Sequence, residues 1–349
     1  TPAPLPQQAR EGEKGSDTFA AAQVDTLEFS SLQDYVKSRR YAVDRSLLDD
    51  GGWSLARQEV QELLRKLSDT GVPLLEYVDK GIHFGIKTGL NEAFVIDEAT
   101  KNRLIAEQSS SEEVIKPFLA GRDIKRYADA LVSRWVICIP SGWTNANIGN
   151  SKDPWRFIQE SFPTIISYLE PYKAKAEKRW DKGDFWWELR PCAYYGEFEK
   201  PKIMLPDISI RGNFALDVVG DKFCMNTAYI IASDDKYLLG ILNSKLTTFV
   251  YSHISSTYRG GYLRFIYQYL AKLPIRTIDF DNSADAALHD EMVALVETML
   301  ELHKQLPSLS GEARRVVELR IEATDREIDA LVYTLYGLGE DEVGIVEGG

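Results

Sequence analysis

The sequence is poor in the residues that carry most metal and redox chemistry. Its 349 residues include 3 Cys and 4 His. Cys138, Cys192 and Cys224 are far apart, form no C-x-x-C pair and, with so few histidines, give no zinc-ligand spacing. An odd, sparse cysteine count points away from a disulfide framework and towards a reducing, cytoplasmic setting. No apolar run approaches the roughly 18 residues of a membrane span, and no signal-peptide pattern opens the chain, so no membrane partner is expected. The first residue is Thr1 rather than Met, which hints at a trimmed or partial chain.

Catalytic signatures are missing as well. There is no Asn-Pro-Pro-Tyr tetrapeptide, with which amino-methyltransferases hold a target amine, and no glycine-rich strand-to-helix loop suited to S-adenosylmethionine. No Glu is followed two positions later by Lys, so the Asp…Glu-x-Lys nuclease pattern fails. Gly85-Ile86-Lys87-Thr88-Gly89 lacks the four-residue spacer of a phosphate loop, and apolar strand-like residues follow it. It reads instead as the turn of a β-hairpin over residues 82–96, with Lys87 placed to touch a DNA phosphate. His83 and His253 have no Ser/Asp pattern near them and read as packed or surface residues. No catalytic residue and no metal ligand is therefore expected.

What is present is a globular composition, 44% hydrophobic and 27% charged, with 7 Trp and 17 Tyr. The net charge is −12, but it is unevenly spread. From Lys116 to Arg276 there are 23 Lys+Arg against 16 Asp+Glu, whereas the remainder holds 18 against 37. A basic middle between acidic flanks is either an ordinary solvated surface or a site for a polyanion.

The periodicity predicts a Pro-, Gln- and charge-rich arm over residues 1–17. Helical patterns over 27–70 are broken at Gly51-Gly52, and Val60, Leu63, Leu64 and Leu67 form an apolar stripe. Strands are expected at 131–139, 202–205, 214–219 and 223–232, the last two joined by a hairpin turn at Gly220-Asp221. A helix over 162–180 starts at Pro163 and breaks near Pro171. Another spans 236–254. Leu288, Met292, Leu295, Met299 and Leu302, then Val317, Ile321, Ile328, Leu331 and Leu335, mark two long helices folding back as a hairpin whose stripes require cover from another domain.

Basic residues cluster three times. The first cluster holds Arg122, Lys125 and Arg126. The second runs through Lys173, Lys175, Lys178, Arg179 and Lys182 to Trp186, Trp187 and Arg190. The third holds Tyr258, Arg259 and Arg264 around Gly260-Gly261. Each could be a solvated turn, a charged helix beside a Trp-anchored core, or a flexible loop. Cations interleaved with aromatics are also what nucleic-acid surfaces use, Lys and Arg neutralising phosphates and Arg pairing with guanine edges.

Several ordered segments carry a resemblance. Residues 85–96 (GIKTGLNEAFVI), 115–127 (IKPFLAGRDIKRY), 202–208 (KIMLPDI), 237–246 (YLLGILNSKL), 273–275 (LPI) and 328–338 (IDALVYTLYGL) occur in one chain and in this order. Together, over roughly residues 50–345, they resemble the TaqI-like C-terminal specificity domain of Type IIG restriction-modification enzymes and adenine-specific DNA methyltransferases. The resemblance implies a module that recognises double-stranded DNA and works with a methyltransferase domain in cis or trans. That domain would supply S-adenosylmethionine, with the target adenine flipped out of the stack.

The expected fold is α+β. A linker (1–17) and a helical connector with a β-hairpin (18–110) precede a mixed β-rich target recognition domain (111–280), a helical hairpin spacer (281–340) and a tail (341–349). Lys87, Lys116, Arg122, Lys125, Arg126, Lys173 and Lys178 are the candidates for phosphates. Arg179, Trp187, Arg190, Arg211, Tyr258, Arg259 and Arg264 are the candidates for base recognition. The alternative is an interaction subunit of an anti-phage complex that reads no DNA.

Overall fold

The structure, a computed structural model, describes residues 18–22, 24, 27–45, 56–255 and 257–348; the side chains of Asp44, Thr257, Tyr258 and Arg259 are outside the description. The expected arm at 1–17 and the Gly51-Gly52 break lie outside the described residues. Two compact units divide the chain, Thr1–Lys66 and Leu67–Gly349. In the first, strand Thr18–Ala21 pairs antiparallel with Tyr41–Asp44, and helix Leu32–Arg39 lies between them in sequence. Ser31 caps that helix, its hydroxyl accepting from the Asp34 amide at 3.3 Å. Helix Gln58–Thr70 runs across the division in sequence.

The second unit is a mixed α+β fold built on short sheets. Its described residues form one antiparallel four-stranded sheet in the order Ala215–Asp217, Lys202–Pro206, Ala228–Ile231, Ile82–Phe84. Another runs Phe223–Cys224, Ile115–Leu119, Trp135–Ile137, Val95–Ile96, with its first pair parallel. A ribbon of Thr257–Tyr258, Tyr262–Arg264 and Ile208–Ser209 is a third. Phe118, Val136, Ile137, Ile158, Ile165, Leu169, Trp186 and Phe198 belong to the core around the second sheet. Pro163 opens helix Pro163–Leu169, and a 3-10 turn at Glu170–Tyr172 breaks the run at Pro171.

Four local expectations are corrected. Ile82–Phe84 and Val95–Ile96 are not a hairpin: they belong to different sheets. Gly89 (φ +70°) and the Thr88 hydroxyl, which accepts from the Leu90 amide at 3.2 Å, start a helical turn, Asn91–Phe94, that carries the chain from one sheet to the other. Nor is there a hairpin about Gly220, because the strand before it pairs with Lys202–Pro206 and the strand after it with Ile115–Leu119. The 236–254 helix is two helices, Lys236–Asn243 and Lys245–Ile254, divided where Ser244 leaves helical geometry and its hydroxyl caps the second at Thr247. The expected tail is largely helix, Glu340–Glu347, fastened through Glu347 to Lys245 and Tyr333.

The helical hairpin is present as Ser283–Gln305 and Gly311–Leu335. Most of its stripe is covered within this chain, with Leu288, Leu295 and Ile321 half-buried. Met292, Val296, Met299 and Leu302 are buried within this chain, where helix Lys236–Asn243 and helix Gly311–Leu335 pack on Ser283–Gln305. Among the described residues, no helix is long and apolar enough to cross a membrane.

A buried ion pair holds the first sheet. Lys202 and Asp217 side chains are 0% and 1% exposed, with Nζ to Oδ2 at 2.6 Å. The ammonium also donates to the Phe198 and Lys200 carbonyls at 2.7 and 3.2 Å. Burial pulls Lys202 below the usual lysine value, while the hydrogen bond and charge of Asp217 act in the opposite direction. Burial alone would raise Asp217; the hydrogen bonds and charges of Lys202 and Lys222 prevail and hold its carboxyl below the usual range. A depressed carboxylate stabilises the fold above the unfolded-state value, about 3.9, and that contribution disappears as pH falls through the folded-state value. Denaturant titrations from neutrality down to pH 3 should therefore show an acid loss of stability that Asp217→Asn diminishes. Lys202→Met should cost about 3–5 kcal/mol, since it strips the buried carboxylate of its principal partner.

Candidate nucleic-acid interface

One short loop, Cys224 to Thr227, gathers three of the six recognisable segments of the sequence. Its Met225 amide donates to Leu119 O at 2.8 Å, and its Asn226 amide donates to Ile86 O at 3.2 Å. It accepts from the Ile86 amide on Cys224 O at 2.7 Å and from the Asp207 amide on Thr227 O at 3.0 Å. The Thr227 hydroxyl accepts from the Gly121 amide at 3.0 Å. Asp207 O in turn accepts from Phe265 at 2.8 Å, which attaches the ribbon. Segments 85–96, 115–127 and 202–208 thus meet at one point.

This convergence explains two glycines. A β-carbon on Gly85 would lie 1.9 Å from Met225 O, and one on Gly121 would lie 2.2 Å from Thr227 O. Both collisions are with backbone, which cannot rotate aside as a side chain would.

Several of the sequence candidates flank the loop. Lys87 and Arg190 line one cleft of about 270 Å³ with Phe84, Cys192, Tyr194 and Tyr195. Its wall is braced by His83, stacked on Tyr194 at 4.4 Å between centroids, and burial lowers that imidazole's pKa. Arg122 follows Gly121 directly, its side chain 79% exposed. Lys125 is exposed on the same segment. Arg264 is exposed on the ribbon beside Asp207, whose carboxyl burial raises while Arg264 draws it back down. Tyr258 and Arg259 enter the same ribbon at strand Thr257–Tyr258 and the turn that follows it. Arg211, two residues beyond strand Ile208–Ser209, is exposed and lines a cavity of about 320 Å³ with Arg126, Lys245 and Asp325. Lys178 is exposed.

Other candidates are engaged within the fold; Arg179 and Trp187 are buried and Arg126 nearly so, which corrects their expected placement on a binding face, while Lys116 and Lys173 are partly exposed. Arg179 is 7% exposed, donating to the carbonyls of Ala176, Thr88, Trp186 and Glu188 at 2.7 to 3.3 Å. Burial is the main weight on this guanidinium and lowers its pKa. Trp187 is 3% exposed, and its indole N–H is satisfied by the Thr144 hydroxyl at 2.9 Å. Arg126 ties the domain to the helical hairpin, donating to both Asp325 oxygens and to Asn243 O. Lys173 lies over the rings of Trp155 and Trp186, at 5.1 and 5.9 Å. Lys116 pairs with Glu199 at 3.1 Å. Each of the four basic residues among these spends donors or charge on holding the fold, a use that composition cannot distinguish from phosphate binding.

Sequence reasoning missed Trp180, which is fully exposed, and the exposed ribbon residues Ile208 and Tyr262. The signal for Trp180 was its place between Lys178 and Lys182, where no apolar neighbour could cover it.

A family model then matches this region. Residues 116–275 match the TaqI-like C-terminal specificity domain. The matched stretch is a little under half of the chain. It takes in the 224–227 loop, the ribbon and segments 115–127 and 202–208. Relatives include the Type II methyltransferase M.HindII of Haemophilus influenzae, 28% identical over 155 residues, covering 40% of this chain and 29% of that protein. They also include the Type II restriction enzyme and methyltransferase RM.Eco57I of Escherichia coli, 26% identical over 113 residues, covering 32% of this chain and 11% of that one. The chain thus spans less than a third of the curated relatives it matches. Among solved structures, the Type IIL restriction-modification enzyme MmeI, in complex with DNA, aligns with 79% of this chain and 35% of its own, at a TM-score of 0.47 and 14% identity.

The dependence of this region on the loop is directly testable. Gly85→Ala and Gly121→Ala should each destabilise the chain by about 1–3 kcal/mol or more, as overpacking against a fixed neighbour does. Gly196→Ala, with open space around its Cβ site, should change thermal stability far less.

Proposed function

We propose that the chain is the sequence-recognition module of a restriction-modification system, reading double-stranded DNA for a methyltransferase domain carried in cis or in trans. The reading is supported most by the convergence of the specificity-domain segments on the 224–227 loop, with Lys87, Arg122 and Arg264 set around it. In this account Lys87, Arg122, Lys125 and Lys178 contact phosphates and set register, and Arg190, Arg211, Arg259 and Arg264 are the candidates for base edges. Arg126, Arg179 and Trp187 support the surface from within, and the partly exposed Lys116 and Lys173 brace it through Glu199 and the Trp155 and Trp186 rings.

The residues present do not fit S-adenosylmethionine at the glycine-rich segment, since Met225 O already closes the space over Gly85. We assign that cofactor and methyl transfer to the accompanying domain. That domain also receives the flipped adenine, whose amine is inaccessible in the stack.

The division of labour predicts two kinds of loss. Arg264→Ala should relax preference at one base position, at a cost of about 1–3 kcal/mol. Lys125→Ala should weaken binding on all sequences alike and reduce the slope of log affinity against log salt by about one. Binding selections on a randomised duplex library, repeated across salt concentrations, measure both. A uniform loss for Arg264→Ala removes it from base reading, and a chain that fails to retard duplex DNA even at low salt refutes the proposal.

A further inference from the structure

The loop leading from helix Lys173–Ala176 to the Trp186-Trp187 pair holds one tryptophan entirely in water. Trp180 is 101% exposed, whereas Trp135, Trp186 and Trp187 are buried. The loop is not slack. On one side of Trp180, Arg179 is sunk into the domain with its guanidinium bonded to four carbonyls. On the other, the Asp181 carboxylate lies against Gly89 and 4.0 Å from Arg190. Further along, the Glu188 carboxylate accepts from the amides of Gly142, Thr144 and Asp184. A chain anchored on both sides displays an indole that forgoes the stabilisation burial would bring.

The charges around it are uneven. Glu177 faces Lys173 at 4.0 Å, Asp181 faces Arg190, and Asp184 accepts from Asn145 at 2.6 Å. Lys178 and Lys182 make no ion pair among the described residues. The loop therefore offers an exposed planar aromatic with a lysine two residues to either side in the chain. A protein-docking aromatic is typically ringed by contacts that exclude water; here the neighbours in sequence are cations, which suit a polyanion.

We infer that Trp180 stacks on a nucleobase where a bound duplex is opened, with Lys178 and Lys182 on the flanking phosphates. This rests on the DNA-reading function proposed above. An indole meets a base through its face, and within a paired duplex both faces of every base are already covered. The contact therefore needs an unstacked step, and stacking of this kind tolerates any base.

The test compares a short random-sequence duplex with the same duplex carrying one unpaired base, by fluorescence anisotropy on the full chain. The wild type should prefer the interrupted duplex about tenfold, within what one aromatic stack supplies. Trp180→Ala should lose that preference without a change in salt slope, Trp180→Phe should retain most of it, and both should melt like the wild type because nothing covers the ring. Equal preference in the alanine variant and the wild type overturns the stacking role while leaving DNA reading intact. A wild type that binds neither duplex at low salt overturns both. A defect confined to association with a methyltransferase domain, with DNA affinity unchanged, makes the indole a protein anchor and also overturns the inference.

Discussion

The close approach of one backbone to two others organises this protein. The carbonyls of Met225 and Thr227 occupy the space a side chain would need on Gly85 and Gly121. That contact brings the first sheet, the second sheet and the ribbon to a common point. Each sheet is short, and neither four-stranded sheet contains all three of the segments that meet at the loop. A loop that bonds through its amides and carbonyls to segments from 85–96, 115–127 and 202–208 does what a longer sheet would otherwise do. Exposed cations on those segments then inherit fixed relative positions, which a reader of base sequence needs and a diffuse basic surface lacks.

The basic residues separate into two populations by what their donors do. Arg126 and Arg179 bond to carboxylates and carbonyls inside the domain and behave as struts, as does Lys202 in its buried pair with Asp217. Lys87, Arg122, Lys125, Arg211 and Arg264 keep their charged ends towards solvent. The separation follows from shape: a planar guanidinium with five donors can satisfy several carbonyls at once, so burying it in a loop-rich region is affordable where burying an unpaired charge is not. The second population is the one placed where a phosphate or a base could reach it.

Much of the architecture was legible in the residues. The helical hairpin, the strand around 135–137, the start at Pro163 and the break at Pro171 follow from apolar period and proline chemistry, which act locally. The failures share a cause. Gly85–Gly89 and Gly220 look like hairpin turns because their local chemistry suits one, but the neighbouring strands pair with partners more than a hundred residues away or across a different sheet. Ser244 ends a helix that apolar spacing alone would continue. At the candidate site, the clusters of Lys and Arg were visible but their orientation was not, since Arg179 and Trp180 are adjacent in sequence and opposite in exposure. The ordered segments supplied what periodicity could not, a resemblance linking stretches that are distant in sequence, part of which the family match over residues 116–275 covers.

Hydrogen–deuterium exchange on the full chain, with and without duplex DNA at low salt, tests the central claim most directly. DNA should slow exchange around residues 85–90, 119–126, 207–211 and 257–265 together, as expected if they form one face held by the 224–227 loop. Slowing confined to the helical hairpin at 283–335, with those four stretches unchanged, would contradict the account.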